Sequence, residues 1–349
     1  MRDPSGVLVM APNWLGDAVM ALPALADVRR AHRQAHVTVA ARPSVAPLYE
    51  MVPGVDRTVV LQWRGSALER RRLQSDVAQL TALAADVAIL LPNSFAAAWT
   101  VRRANVAHRW GYASDLRTRL LTRAVRRPRR SLHQAAYYQH LVRELGMPTG
   151  SLEPVIAVPA AAIESANALL AARGRDPSRP LLVVAPGAAY GTAKRWLPAH
   201  FGTLLTSLIR DRRAQCALVG AHADAETARW VADATDPRYR EDVIDLTGAT
   251  SLGTLAGVMT LAAACVSNDS GAMHLAGAVG VPLAALFGPT RDHETAPLTR
   301  ATSRADVLVN EVWCRPCMLR ECPIDHRCMR GLTPERVITS VRALMESRS

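Results

Sequence analysis

The chain opens on a short apolar run, GVLVMAP at 6–12, that stops at a polar loop, NWLGD. Val19, Met20, Leu22, Leu25 and Val28 then recur at the spacing of one helix face. The next apolar runs are HVTVAAR (36–42), VDRTVVL (55–61) and DVAILLP (86–92), with helix-length segments between them. A connector rich in proline and glycine follows, spanning roughly 146–180 and carrying one helical segment, AAIESANALLAAR. The pattern then restarts. LLVVAPGA (181–188), AQCALVGA (214–221), VIDLTG (243–248), ACVSND (264–269) and PLAALFGP (282–289) are five more short apolar runs, each separated from the next by a helix length. Such alternation predicts α/β folding, with parallel sheets covered by helices on both faces. The chain reads as two doubly wound, Rossmann-like domains, residues 1–165 and 166–332. A final helix starts at Pro334 with Thr333 as its N-cap, and residues 333–349 are expected to pack back toward the N-terminal domain. Ligands of such sheets bind beyond the carboxyl ends of the strands, and two sheets facing each other would leave a cleft.

Composition agrees with two cores. Of 349 residues, 49% are hydrophobic and 21% charged, as in globular proteins. No uninterrupted apolar stretch reaches the roughly 18 residues that a membrane helix needs. The most apolar region, 272–287, is broken by His274, Gly277, Gly280 and Pro282. The first residues do not have the pattern of a signal peptide. A cytoplasmic protein is expected. Charge changes the picture more. Residues 1–150 hold 21 arginines and 10 acids, a net of +11, while residues 151–349 come to +1. The densest stretch is RTRLLTRAVRRPRR at 117–130. It suits a polyanion, whether nucleic acid, anionic lipid or a phosphorylated glycan, or else is a solvated face with no partner. Of the 42 basic residues one alone is a lysine, Lys194. Where arginine fills every other basic position, a retained lysine is either a chance survivor or marks a need for a compact ammonium.

The segments with chemical promise follow strands. In NWLGDAVM, Asp17 near a helix start either stabilises the helix amides or acts as a general base. No G-x-G-x-x-G accompanies it, so the phosphate loop of a dehydrogenase is lacking. PGAAYGTAKRWLP joins small residues, including Gly191 and Thr192, to Lys194. That combination suits a phosphate, although the Walker spacing is absent. SNDSGAMHLAGAVGVP places Asp269, Ser270 and Gly271 at a helix start with His274 inside the helix. Amides there can hold a phosphate, or Asp269 and Ser270 simply cap the helix and His274 packs in the core. In GAHADAET, Glu226 can accept hydrogen bonds from ribose hydroxyls or merely favour the helix dipole.

Four of the six cysteines, Cys314, Cys317, Cys322 and Cys328, fall within CRPCMLRECPIDHRC, with His326 among them. Four thiolates, or three with a histidine, can bind tetrahedral zinc. Free or redox-labile thiols are the alternative, since stable disulfides are disfavoured in the cytosol. Cys216 and Cys265 lie in strands and read as core.

Together NWLGDAVMALPAL, LPNSFAAAW (91–99), PGAAYGTAKRW (186–196), SNDSGAMHLAGAVGVPLAALFGPT (267–290) and the cysteine-rich segment resemble the bacterial lipopolysaccharide heptosyltransferases of glycosyltransferase family 9. LPNSF and AKRW resemble the branch that adds the second heptose. The family usually carries proline where Thr192 and Leu197 stand, and often glutamate at the position of Ala189. The resemblance implies a GT-B fold with two Rossmann-like domains facing a cleft. It implies ADP-heptose as donor, and an anionic heptosyl-Kdo2-lipid A acceptor at the cytoplasmic face of the inner membrane, reached by peripheral contact. It implies an inverting transfer, in which Asp17 takes the acceptor proton and Lys194 meets the leaving diphosphate. The donor set is then Gly191, Thr192, Lys194, Glu226, Asp269, Ser270, Gly271 and His274, with Asp269 orienting heptose hydroxyls. Asn13, Asn93, Arg117 and Arg119 are the acceptor candidates. No cofactor is required on this reading. Help from Mg²⁺ is left open, as is a structural zinc on the four cysteines. The rival readings are another family 9 transferase, a non-catalytic nucleotide binder, or a basic nucleic-acid-binding protein. The last lacks interleaved aromatics and any recognised binding motif, so no nucleic-acid partner is expected.

Overall fold

The computed structural model describes residues 4–66 and 68–346. The chain divides into two compact units, Met1–Ala157 and Val158–Ser349. In the first, β1 (Gly6–Met10), α1 (Leu15–Met20), α2 (Leu22–Ala31), β2 (His36–Ala41), α3 (Ala46–Tyr49), β3 (Arg57–Val60), α4 (Arg70–Ala82), β4 (Val87–Leu90), α5 (Phe95–Arg103), β5 (His108–Tyr112), β6 (Arg123–Val125) and α6 (Gln134–Glu144) follow in order. The strands form one parallel sheet ordered β3-β2-β1-β4-β5-β6. Central strands covered on both faces must be apolar throughout rather than alternating. Val7, Leu8 and Val9 of β1 and all of β4 are accordingly buried.

The second unit repeats the plan. It contains α7 (Ala160–Ala171), β7 (Leu181–Ala185), α8 (Pro198–Arg212), β8 (Gln215–Leu218), α9 (Ala225–Ala234), β9 (Val243–Asp245), α10 (Leu252–Leu261), β10 (Ala264–Asn268), α11 (Gly271–Val279), β11 (Leu283–Phe287), α12 (Asp292–Thr295), β12 (Ala305–Val309), α13 (Arg327–Arg330) and α14 (Pro334–Glu346). Its sheet is ordered β12-β11-β10-β7-β8-β9. Both sheets thus have Rossmann strand order, and each has a topological switch point, between β1 and β4 and between β7 and β10. Trp196 anchors the core of this unit. It is fully buried, lies edge-on to Phe201 with ring centroids 4.8 Å apart, and donates its indole N–H to the Leu332 carbonyl at 2.8 Å.

Two expectations need correction. The division falls at 157/158 rather than 165/166, because α7 packs on α10 of the second unit. The final helix α14, expected to pack toward the first domain, belongs to the second unit. Val337, Ile338, Val341 and Leu344 join the core of the second unit, against α8, β10 and β11. The parallel sheet leaves that face of β10 and β11 open, and an amphipathic helix closes it. Strands β5, β6 and β12 add to those that the apolar pattern predicts. They lie at or beside a sheet edge, where burial on both faces no longer enforces a continuous apolar run. Among the described residues no helix is long and apolar enough to cross a membrane.

Placing α14 in the second core predicts that Leu344→Ala will lower the stability of that unit by about 2–5 kcal/mol. Chemical denaturation followed by tryptophan fluorescence should show an earlier midpoint. A midpoint equal to that of the parent would place the helix outside the cooperative core.

Candidate functional site

The switch point of the second unit brings most of the expected donor residues together. The loop after β7 holds Gly191, Thr192 and Lys194, and the end of β10 leads into Asp269, Ser270 and Gly271. Lys194 Nζ lies 2.6 Å from Asp269 Oδ2. The two side chains are only 13% and 5% exposed, so the pair is largely shielded from water. Thr290 Oγ1 donates to the same carboxylate oxygen at 2.6 Å. Ser270 stands at the N-cap of α11 in extended conformation, which leaves first-turn amides available to an anion. His274 is buried on α11. Glu226 lies on the first turn of α9, exposed, 4.0 Å from Arg229.

Two residues that the sequence reading passed over organise this site. Asn268 is fully buried. Its side-chain amide donates to the Pro186 carbonyl at 2.7 Å, and its oxygen accepts from the Trp196 amide at 3.1 Å. One side chain therefore ties both ends of the lysine loop to β10. Thr290 is the second, since it completes the Asp269 carboxylate. The SND stretch hinted at Asn268, but nothing in sequence showed that its partners lie more than 70 residues away. The departure from the family pattern at Leu197 is local. Proline stands one residue later, at Pro198, and opens α8 as its first residue.

The cysteine-rich segment clamps the same loop. Ala193 N–H donates to the Arg320 carbonyl at 2.9 Å, and the Tyr190 hydroxyl donates to the Met318 carbonyl at 2.7 Å. A Cβ on Gly191 would lie 2.2 Å from the Arg320 oxygen, so that position must be glycine for the approach to occur. Arg315, with its side chain 5% exposed, bonds the Gly288 and Thr290 carbonyls at 2.7 and 3.0 Å and pairs with Asp292 and Glu311. Among the described residues no group of three or more histidine, cysteine or acidic side chains is arranged to hold a metal. Cys328 is drawn into the hydrophobic core while Cys317 is exposed, which separates the thiols by environment. Burial pushes the Cys328 thiol up, and the nearby Cys314, Cys322 and Cys317 add to the shift.

In the first unit, Asp17 sits in the first turn of α1, partly buried. Burial, and then the negative charge of Asp17, raise the pKa of Tyr49 and of Tyr138. Asn13 is exposed in the loop after β1, 3.4 Å from the Arg42 guanidinium. Asn93 follows β4 at the same switch point and accepts from Arg117 at 3.4 Å. Arg117 is not a surface contact as expected. Its side chain is fully buried. It donates to the Tyr112 carbonyl at 3.1 Å and to the Pro92 carbonyl, and burial lowers its pKa to about 10. A short turn, 118–120, places Arg119 in solvent. The basic run is therefore partly structural. Arg123 in β6 bonds the Glu144 and Leu145 carbonyls at the end of α6, whereas Arg126, Arg127, Arg129 and Arg130 are exposed.

The family model for glycosyltransferase family 9 (heptosyltransferase) matches residues 74–327. The chain belongs to glycosyltransferase family 9. As a member of that family it is a glycosyltransferase. Lipopolysaccharide heptosyltransferase 2 of Salmonella typhimurium is 28% identical over 352 residues, covering 97% of this chain and 98% of the relative. Lipooligosaccharide heptosyltransferase 2 of Haemophilus influenzae is 28% identical over 351 residues, with 97% and 99% covered. The solved structure of E. coli ADP-heptose LPS heptosyltransferase II matches with a TM-score of 0.84 at 26% identity, over 98% of each chain. Each doubly wound unit of this family 9 chain is accordingly a GT-B domain.

Burial of Arg117 predicts a contrast with its neighbour. Arg117→Met should lower stability by about 2–4 kcal/mol, because buried carbonyls lose their donor. Arg119→Met should stay within about 0.5 kcal/mol. Urea unfolding of both variants measures the difference, and equal midpoints would refute the structural role.

Proposed function

We propose that this family 9 glycosyltransferase moves L-glycero-D-manno-heptose from ADP-heptose to heptosyl-Kdo2-lipid A, the second heptose of the lipopolysaccharide inner core. The observation that carries this reading is the shielded Lys194–Asp269 pair at the β7/β10 switch point, in a chain that heptosyltransferase 2 relatives match over 97% of its length. A diphosphate leaving group gains negative charge as the glycosidic bond to ADP breaks. An ammonium already held at the site, with α11 amides beside it, can pivot from Asp269 to meet that charge.

On this reading the acceptor hydroxyl attacks the anomeric carbon in a single inverting step, and Asp17 takes its proton. Asp269 orients heptose hydroxyls once Lys194 turns toward the diphosphate. Gly191 and Thr192 line the approach, Ser270 and Gly271 present amides, Glu226 accepts from the ribose, and His274 backs the α11 turn. Asn13, Asn93 and Arg119 contact the acceptor, while Arg117 acts by holding Asn93. The exposed arginines of the first unit favour an anionic acceptor and peripheral contact with an anionic leaflet at the cytoplasmic face. No cofactor enters the proposed step, and Mg²⁺ dependence is one arm of its test.

ADP release should require both ADP-heptose and heptosyl-Kdo2-lipid A, and should be slower with Kdo2-lipid A. Asp17→Ala should reduce it roughly 10²–10⁴-fold. Release that ignores the acceptor, or prefers Kdo2-lipid A, would displace the substrate assignment. Lys194→Arg should reduce kcat roughly 10²–10³-fold, the effect of losing one oxyanion contact. The guanidinium is too long and flat for a site fitted between Asp269 and the Tyr190 ring. Full turnover by Lys194→Arg would show that any cation suffices.

A further inference from the structure

The diphosphate site described so far is short of positive charge. Lys194 is the expected cation, but Asp269 at 2.6 Å already balances it. The pair together carries no net charge toward an incoming dianion. The partial charge at the start of α11 is worth only about half an elementary charge. A second cation is therefore called for by the electrostatics, and one is present on the cysteine-rich strap.

Arg320 lies over the ring of Tyr190, with its guanidinium carbon 5.4 Å from the ring centroid. Lys194 Nζ lies 4.8 Å from the same centroid. One aromatic ring thus holds both cations. The ring is fixed in turn, because its hydroxyl donates to the Met318 carbonyl at 2.7 Å. The Arg320 backbone is fixed as well, through its carbonyl to the Ala193 amide at 2.9 Å and through the close approach that Gly191 permits. The side chain itself is exposed, and no carboxylate among the described residues lies within ion-pair distance of it. Its neighbours Arg315 and Arg327 behave otherwise, since both pair with acids. Arg320 is the strap arginine whose charge is uncommitted, and it is parked beside the lysine.

We infer that Arg320 is a second diphosphate-binding residue of the donor site, carried to Lys194 by the strap and held ready on Tyr190. This rests on the donor-site reading above and extends it to a residue outside the loop and helix motifs. The planar guanidinium can bind two phosphate oxygens at once, a role complementary to the point charge of Lys194. The strap is then part of the donor site, and the clamp on Gly191 and Ala193 explains how a segment 128 residues downstream, as counted from Tyr190 to Met318, keeps its register with the loop.

The test is ADP binding by calorimetry to the full-length protein over a range of salt, for the parent and for Arg320→Gln, Arg320→Lys and Lys194→Gln. Removing the Arg320 charge leaves its carbonyl clamp in place, so the fold should hold, and matched melting curves check this. Arg320→Gln should weaken ADP roughly tenfold, about 1.4 kcal/mol, with a shallower dependence of affinity on salt. Arg320→Lys should recover part of the loss. If Lys194→Gln weakens ADP while Arg320→Gln leaves both affinity and salt slope unchanged, this inference fails and the donor site stands. A loss in Arg320→Gln with an unchanged salt slope and no recovery by lysine would make Arg320 a structural residue and also overturn it. If neither variant affects ADP, the donor-site reading itself falls, and the inference with it.

Discussion

The shielded ion pair between Lys194 and Asp269 sets the terms for everything packed around it. Removing an ammonium and a carboxylate from water is costly, and their mutual attraction compensates only when the geometry is good and the remaining hydrogen-bonding capacity is used. Both conditions have visible consequences in the fold. Thr290 donates to the carboxylate from the end of β11. The lysine loop is tied at two points to Asn268, the residue just before Asp269. The backbone segments that carry the lysine and its counter-ion are thereby tied to one strand end. Further contacts hold that frame. Arg315 binds the carbonyls of Gly288 and Thr290, and Trp196 spans from Asn268 to Leu332.

Parallel topology decides where such a pair can be built. In an order of 3-2-1-4-5-6 the chain leaves the central strand on one side and returns on the other, so the loops after those two strands diverge and leave a crevice. The β7 loop and the β10 end are those two loops in the second unit, and Asn13 and Asn93 follow the corresponding strands in the first. This much was legible beforehand. Continuous apolar runs marked the buried strands, and the donor candidates, Asp17, Asn13 and Asn93 followed such runs, whereas Arg117 and Arg119 did not. What was illegible has a common physical cause. Strands near a sheet edge, β5, β6 and β12, are only partly covered, so polar residues such as Arg109 and Arg123 sit in them without penalty and blur the pattern. The final helix showed its amphipathic face but not which core that face would meet.

Arginine was the hardest residue to read, because one residue type does three jobs here. Arg117 is buried and serves backbone carbonyls at the end of β4. Arg123 closes the end of α6 from a strand edge. Arg126, Arg127, Arg129 and Arg130 remain in solvent. All lie within one run that appeared in sequence as a single basic patch. The guanidinium permits this spread of roles, since it has five donors in a plane and an apolar stem that tolerates burial. Net charge alone therefore overstates the field that the first unit presents, and only the exposed subset is free to act on an anionic surface.

The retained lysine then acquires a physical explanation. At position 194 the cation must fit between a carboxylate, a threonine-buttressed strand end and an aromatic face. On the proposed mechanism it must also exchange Asp269 for the diphosphate. A planar fork would lock onto Asp269 bidentately and resist that exchange, whereas an ammonium on a four-carbon stem can pivot. Arginine suits the position beside it for the opposite reason. The Arg320 guanidinium lies over the Tyr190 ring, and a delocalised cation suits an aromatic face. Two cations of different shape on one ring divide the work by geometry. The compact one can be held by a carboxylate, and the planar one is held by an aromatic face that leaves its donors unspent.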